Sequence, residues 1–213
     1  MEKKKNDFIA QGSILAIASI LVRVMGMIYR IPMTAIIGDK GNGFYSYAYS
    51  VYTILLLLSS YSLPLAVSKM VSAKAQLGQW RNVKRVFICA IAFAIGIGTT
   101  FGLIVLIGAQ FFTRVFFHSE LAAIALRFMA PTILIMALLG VFRGFFQGLQ
   151  NTLPTAVSQI VEGLINAIMS VVFAYFLFDF GHGMDVASGT TDLGYAWGAA
   201  GGAIGTGAGA LAG

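Results

Sequence analysis

Apolar residues fall along this chain in long blocks separated by short polar breaks. About 20 apolar residues suffice to cross the ~30 Å hydrocarbon core of a bilayer as a helix. The blocks predict six spans, at residues 8–37, 44–72, 86–112, 121–147, 154–178 and 194–213. The first is longer than a bilayer requires and should tilt or kink, with Pro32 as the natural kink point. It ends at Gly38-Asp39-Lys40-Gly41-Asn42-Gly43, a turn by composition. Pro64 should bend the second span, and Pro131 lies inside the fourth. Tyr45, Tyr49 and Tyr52 share one helical face near the start of the second span and read as a membrane–water belt. A polar connection with Lys69, Lys74, Arg81, Lys84 and Arg85 precedes the third span, and a mildly acidic loop from Asp179 to Asp192 precedes the sixth.

The sixth block is built of small residues. Gly201, Gly205, Gly209 and Gly213 recur every fourth residue, with Gly194, Gly198 and Gly202 beside them. Such spacing lets helix backbones approach closely. It is no phosphate-binding loop, because no strand precedes it and no Lys-Ser/Thr follows. The block stays apolar to the last residue without a flanking charge, which is the pattern expected of part of a longer transporter.

Composition settles the class. Of 213 residues, 58% are hydrophobic and 10% charged, and mean hydropathy is +0.85; soluble domains carry about 25% charge. The chain is therefore expected to be an all-α integral membrane protein, one membrane domain over residues 1–213. Its net charge of +6 sits at block ends and not on one polar face, so it points to membrane orientation and not to nucleic acid. Lys3–Lys5, the Lys69–Arg85 group and Arg143 fall on one side; Lys40 and Arg114 fall on the other beside Asp39, Glu120, Asp179, Asp185 and Asp192. This asymmetry favours an inside amino terminus. Lys3–Lys5 followed by Ala16-Ile17-Ala18 has the look of a signal peptide, but the apolar block continues to Ile37 and reads as a retained helix. The lone Cys89 reads as a buried small residue.

Charge inside the spans is where function is sought. Arg23 and Arg30 lie within the first span, seven residues apart on one face and about 10 Å apart along the axis. An arginine near the bilayer centre costs roughly 2.5–3.5 kcal/mol on insertion scales. Two of them need a partner or a wet cavity. Ser19 and Gly26 continue the same stripe. The planar guanidinium fork suits phosphate; an internal salt bridge, or snorkelling of Arg30 to the interface, is the structural alternative. Glu162 is the acid deepest inside a span and joins Gln159, Asn166 and Ser170 in a polar stripe. It suits either a counter-ion, for Arg23 in particular, or a site for a coupling H+ or Na+. Arg143, Gln147 and Gln150 make a third polar face, with Gly144 and Gly148 marking close packing; Arg143 is a weaker diphosphate candidate or an interfacial anchor. His118 and His182 fall in loops without metal-ligand spacing, and no nucleophilic triad is visible. No enzyme chemistry, metal or cofactor is expected.

Four stretches carry a family resemblance: Leu21-Val22-Arg23-Val24-Met25-Gly26 with Ile28-Tyr29-Arg30-Ile31-Pro32; Ile36-Ile37-Gly38-Asp39 with Gly43-Phe44-Tyr45; Ser62 to Lys69; and Phe142 to Gly148 with Pro154 to Gln159 and Glu162. From Phe8 to Gly213 the chain resembles the oligosaccharide exporters of the multidrug/oligosaccharidyl-lipid/polysaccharide superfamily. Within it, the stage V sporulation protein B group, related to MurJ-type lipid II flippases, is the branch it is most similar to. The resemblance implies two six-helix lobes around a central cavity, of which this chain supplies the amino-terminal one and lacks the carboxy-terminal one. It implies that Arg23 faces the cavity and serves a lipid-linked diphosphate; Arg30 stands one residue out of step with the family's usual second arginine.

The leading expectation is thus a flippase for an undecaprenyl-diphosphate peptidoglycan or polysaccharide precursor in the bacterial cytoplasmic membrane. Its partners would be that lipid-linked oligosaccharide and membrane lipids. The alternative is a cation-coupled, MATE-like small-molecule antiporter with Glu162 as the ion site. A third possibility is a non-transporting protein that works through cell-envelope assembly partners.

Overall fold

The computed structural model describes residues 2–213; the side chains of residues 2–11, Lys3–Lys5 among them, and of Ser188 lie outside the described residues. Six helices follow one another: α1 (Glu2–Ser59), α2 (Leu63–Gln76), α3 (Trp80–Phe117), α4 (Ala122–Gly148), α5 (Leu153–Ser188) and α6 (Leu193–Ala212). The described residues contain no strand. The fold is that of an all-α, multi-pass membrane protein.

The expected turn at residues 38–43 contracts to a single residue. Only Gly38 leaves helical geometry, at φ 63° and ψ −179°, a left-handed conformation that glycine adopts without a Cβ penalty. Around it α1 folds into two arms, residues 12–37 and 39–59. Tyr29 of the first arm packs in the cluster that holds Tyr45 of the second. Asp39–Gly43 therefore already belong to the second arm. The Gly38 corner rests on α6: Lys40 pairs with Asp192 at 2.9 Å, and its Nζ lies 5.9 Å over the Tyr195 ring.

The second span is broken, not bent. α1 stops at Ser59, residues 60–62 form a turn, and Pro64 sits in the first turn of α2, where its missing N–H leaves no bond unmade. Lys69 and Lys74 lie on α2 and Arg81, Lys84 and Arg85 on α3, so the polar connection reduces to residues 77–79. The acidic loop is likewise mostly helix. α5 runs to Ser188, carries Asp179 and His182, and leaves only residues 189–192 as connection; the His182 ring lies parallel to Phe178 at 6.3 Å.

Among the described residues, four segments are long and apolar enough to cross a membrane: Gly12–Gln76, which holds both arms and α2, then Trp80–Phe117, Ala122–Gly148 and Leu153–Ala187. α6 is not one of them. It is instead buried in the bundle, with Ala196, Ala199, Ala200 and Ala203 fully covered.

Small residues set the helix contacts. Along α6, Gly201 faces the Phe173–Ala174 backbone, Gly205 faces Ser170, Gly209 faces Asn166 and the Glu162 carbonyl, and Gly213 faces Glu162 and Ser158. The register is antiparallel and nearly constant, so a Cβ at Gly205 would fall onto Ser170 main-chain atoms. A second seam runs along α4, where Gly140, Gly144 and Gly148 receive Pro64, Ser68 and Val71. Two apolar clusters complete the interior, one between the α1 arms and α3, α4 and α6, the other among α2, α3 and α4. Cys89, expected inside, is exposed, because α3 turns Val83, Ala90, Ala94 and Gly98 inward instead.

Candidate functional site

The second arm enters helix directly after Gly38, which carries Tyr45 well into the bundle. Tyr45 and Tyr52 are buried and Tyr49 is partly open. The three rings form a chain, with centroids 5.8 and 5.9 Å apart. They line a cavity of about 250 Å³, together with Val22, Gly26 and Tyr29 of the first arm and Glu162, Asn166 and Thr206 of α5 and α6. The tyrosines are thus cavity wall and not an interfacial belt. The Tyr45 hydroxyl lies 3.4 Å from that of Thr206.

Neither Arg23 nor Arg30 lines this cavity; each directly follows a residue that does, Val22 and Tyr29, so the arginines flank the lining face of the first arm on one side. Both are exposed, and neither has an ion pair or hydrogen bond among the described residues. Most of the first arm is open in the same way: Ile17, Ile20, Leu21, Met27, Ile28 and Ile31 are exposed. Ser19, on the arginine stripe, stands 3.5 Å from Gln159 while donating to the Leu15 carbonyl at 2.9 Å.

Glu162 does not serve Arg23. Arg143 Nη2 donates to Glu162 Oε2 at 2.6 Å, and Arg143 Nε and Nη2 donate to Ser158 Oγ at 2.9 and 2.7 Å. The pair is largely covered, with side chains 13% and 23% exposed, and Gly213 packs against it. The geometry therefore joins α4 to α5, because α5 turns Ser158 and Glu162 toward Arg143 while the first arm's arginines lie along a different edge. Asn166 accepts a hydrogen bond from Ser170 at 2.8 Å. Gln150 is separate from this cluster: it lies past the end of α4 at φ 61°.

One acid that the sequence marks only as part of the outer-side charge has a structural role. Asp185, 5% exposed, accepts hydrogen bonds from the N–H of Leu193 and Gly194 and from the Thr190 hydroxyl, at 3.0, 2.8 and 2.7 Å. It satisfies the free N–H groups at the start of α6 from across the loop. The only sequence signal of that role is its place one loop before a helix start.

The chain matches the polysaccharide biosynthesis protein family over residues 8–211. It belongs to that family. It is 26% identical over 200 residues to the lipid II flippase MurJ of Bacillus subtilis (strain 168), an alignment covering 90% of this chain and 37% of that protein. It is also 26% identical over 174 residues to stage V sporulation protein B of the same organism, covering 81% of this chain and 34% of that protein. The chain thus spans about a third of the length of these curated relatives. No solved structure matches it significantly. The relationship to the flippases of the wider exporter superfamily follows from these matches.

Proposed function

We propose that this chain is the amino-terminal lobe of a flippase that carries an undecaprenyl-diphosphate peptidoglycan or polysaccharide precursor across the bacterial cytoplasmic membrane. The observation that carries the reading is the stripe of Arg23 and Arg30. Two guanidinium groups lie on an open membrane helix beside a polar cavity, with no acid paired to them. Intramembrane charge of this kind belongs to substrate pathways, and the sign selects an anion. The similar proteins named as a lipid II flippase and a sporulation protein support the same substrate class. Arg23 sits about 22 Å from the Gly38 corner and Arg30 about 12 Å, at 1.5 Å per residue, so the pair offers successive contacts for a diphosphate while the prenyl tail stays in lipid. Gln159 and Asn166 supply neutral donors and acceptors beside that path. No bond is made or broken, and the reading needs no cofactor.

Charge at the two ends supports an inside amino terminus. At the Gly38 end, Lys40 pairs with Asp192 and Arg114 lies 3.6 Å from Glu120. At the other end, Lys69, Lys74, Arg81, Lys84 and Arg85 have no acidic partner among the described residues, as cytoplasmic basic clusters do. The antiporter reading needs Glu162 free for H+ or Na+, and the 2.6 Å bond to Arg143 argues against that.

The test is substrate choice by the full-length protein in vesicles. A fluorescent undecaprenyl-diphosphate sugar should be translocated, and a cationic dye should not accumulate under a proton or sodium gradient. Dye transport that disappears in Glu162→Gln would reverse the assignment.

A further inference from the structure

A second cavity, of about 260 Å³, adjoins the tyrosine-lined one. Leu56 and Met136 border both. Glu162 lines the first and Arg143 the second, so their ion pair stands in the wall between them. α4 and α5 meet little elsewhere, so this ion pair, the two Arg143–Ser158 hydrogen bonds and the Thr155 hydroxyl on the Arg143 carbonyl at 3.4 Å together tie the two helices across that wall.

The second cavity is chemically distinct. Ser60, Tyr61, Arg143, Gln147 and Gln159 line it, and no carboxylate does. Ser60 and Tyr61 come from the break between α1 and α2, and a broken helix within a membrane protein is tolerated where it lines a cavity. Arg143 spends Nε and Nη2 on Ser158 and Glu162, while Nη1 donates to none of the described groups. A guanidinium has five N–H donors, so a held cation here still offers hydrogen bonds to the space beside it. The volume lies just under the ~300–1,000 Å³ of small-molecule pockets. It suits a compact headgroup and not a whole oligosaccharide.

We infer that this cavity is a phosphate-class anion subsite latched by Glu162. Phosphoryl oxygens entering it form a forked contact with Arg143 and displace the Glu162 carboxylate, which loosens the tie between α4 and α5 and joins the two cavities. The inference rests on the anionic-substrate reading for its natural ligand, but not on Arg23 or Arg30. It also revises the part of Arg143: this arginine is held by an acid until an anion competes for it.

The test uses the 213-residue chain in nanodiscs, with binding read as the ligand-induced rise in unfolding temperature, which reports on folded protein. The probes are inorganic pyrophosphate in solution and undecaprenyl diphosphate in the disc lipid. Glu162→Gln removes the competing charge and should tighten binding roughly tenfold, since the full charge-assisted contact becomes available to the ligand. Glu162→Asp, a milder change, should act in the same direction. Arg143→Ala should abolish binding, and Arg143→Ala/Glu162→Gln should match Arg143→Ala alone. A response to both probes, or to one, identifies a free or a lipid-borne phosphate as the source. Response to neither overturns the subsite, as does unchanged or weaker binding in both Glu162 variants. The gain should persist in an Arg23→Ala/Arg30→Ala background. Its loss there would put the anion on the first arm and overturn the subsite, whereas failure of the translocation assay alone would leave it standing.

Discussion

The first arm of α1 and the α5–α6 seam are both apolar helix, yet they are built to opposite ends. Along the seam, glycines at positions 201, 205 and 209 bring two backbones together until no Cβ fits, and Gly213 continues the close contact. Along the first arm, Ala18, Met33 and Ile37 are the buried apolar residues, and both arginines are open. Close packing with little side-chain freedom makes the seam a frame. The arm keeps its polar groups available, and charge that stabilises nothing in the fold is free to be used on a ligand. Where side chains are spent on packing, substitution should damage the fold; where they are left open, it should damage function alone.

The largest expected effect is at the centre of the seam. Gly205→Leu should separate α5 from α6 and lower stability by about 3 kcal/mol, the upper part of the usual overpacking range. Denaturant unfolding in mild detergent measures this. Next is Arg143→Ala, which leaves the Glu162 carboxylate unpaired. Loss of one partner of a fully buried pair costs ~3–5 kcal/mol, and the partial exposure here lowers the expectation to about 2 kcal/mol, read by the same unfolding. Asp185→Ala removes the acceptor at the start of α6 and should cost about 1 kcal/mol, as helix-cap losses do, with faster amide exchange at Leu193 and Gly194. The smallest change in stability belongs to the arm: Arg23→Ala should move it by less than about 0.5 kcal/mol, as open surface positions do. A stability loss at Arg23 equal to that at Arg143 would erase the distinction between frame and arm.

Much of the frame was legible because it obeys one-dimensional rules. Block length marked the helices, and the four-residue glycine period announced a close backbone contact for α6 without naming its partner, α5. Gly38 marked its own corner. Composition overstated the loops, since Asp39–Gly43 and Asp179–Ser188 are polar yet helical. A polar residue ends a membrane block without ending a helix, because helices continue past the bilayer surface: α3, at 38 residues, is about 57 Å long. The candidate site was legible as a set of residues but not as pairs. Which arginine meets Glu162 depends on how α4 and α5 are rotated about their axes, and spacing within one helix carries no such information. The same limit hid the tyrosines, whose face pattern is common to an interfacial belt and a cavity wall.

The central claim is that Arg23 and Arg30 serve an anionic substrate and not the fold. Its most direct test is the full-length protein carrying Arg23→Ala/Arg30→Ala, assayed in vesicles for translocation of a lipid-linked diphosphate and in detergent for unfolding. The account predicts translocation lost with the unfolding midpoint unchanged. Translocation retained, or lost only together with stability, would contradict it.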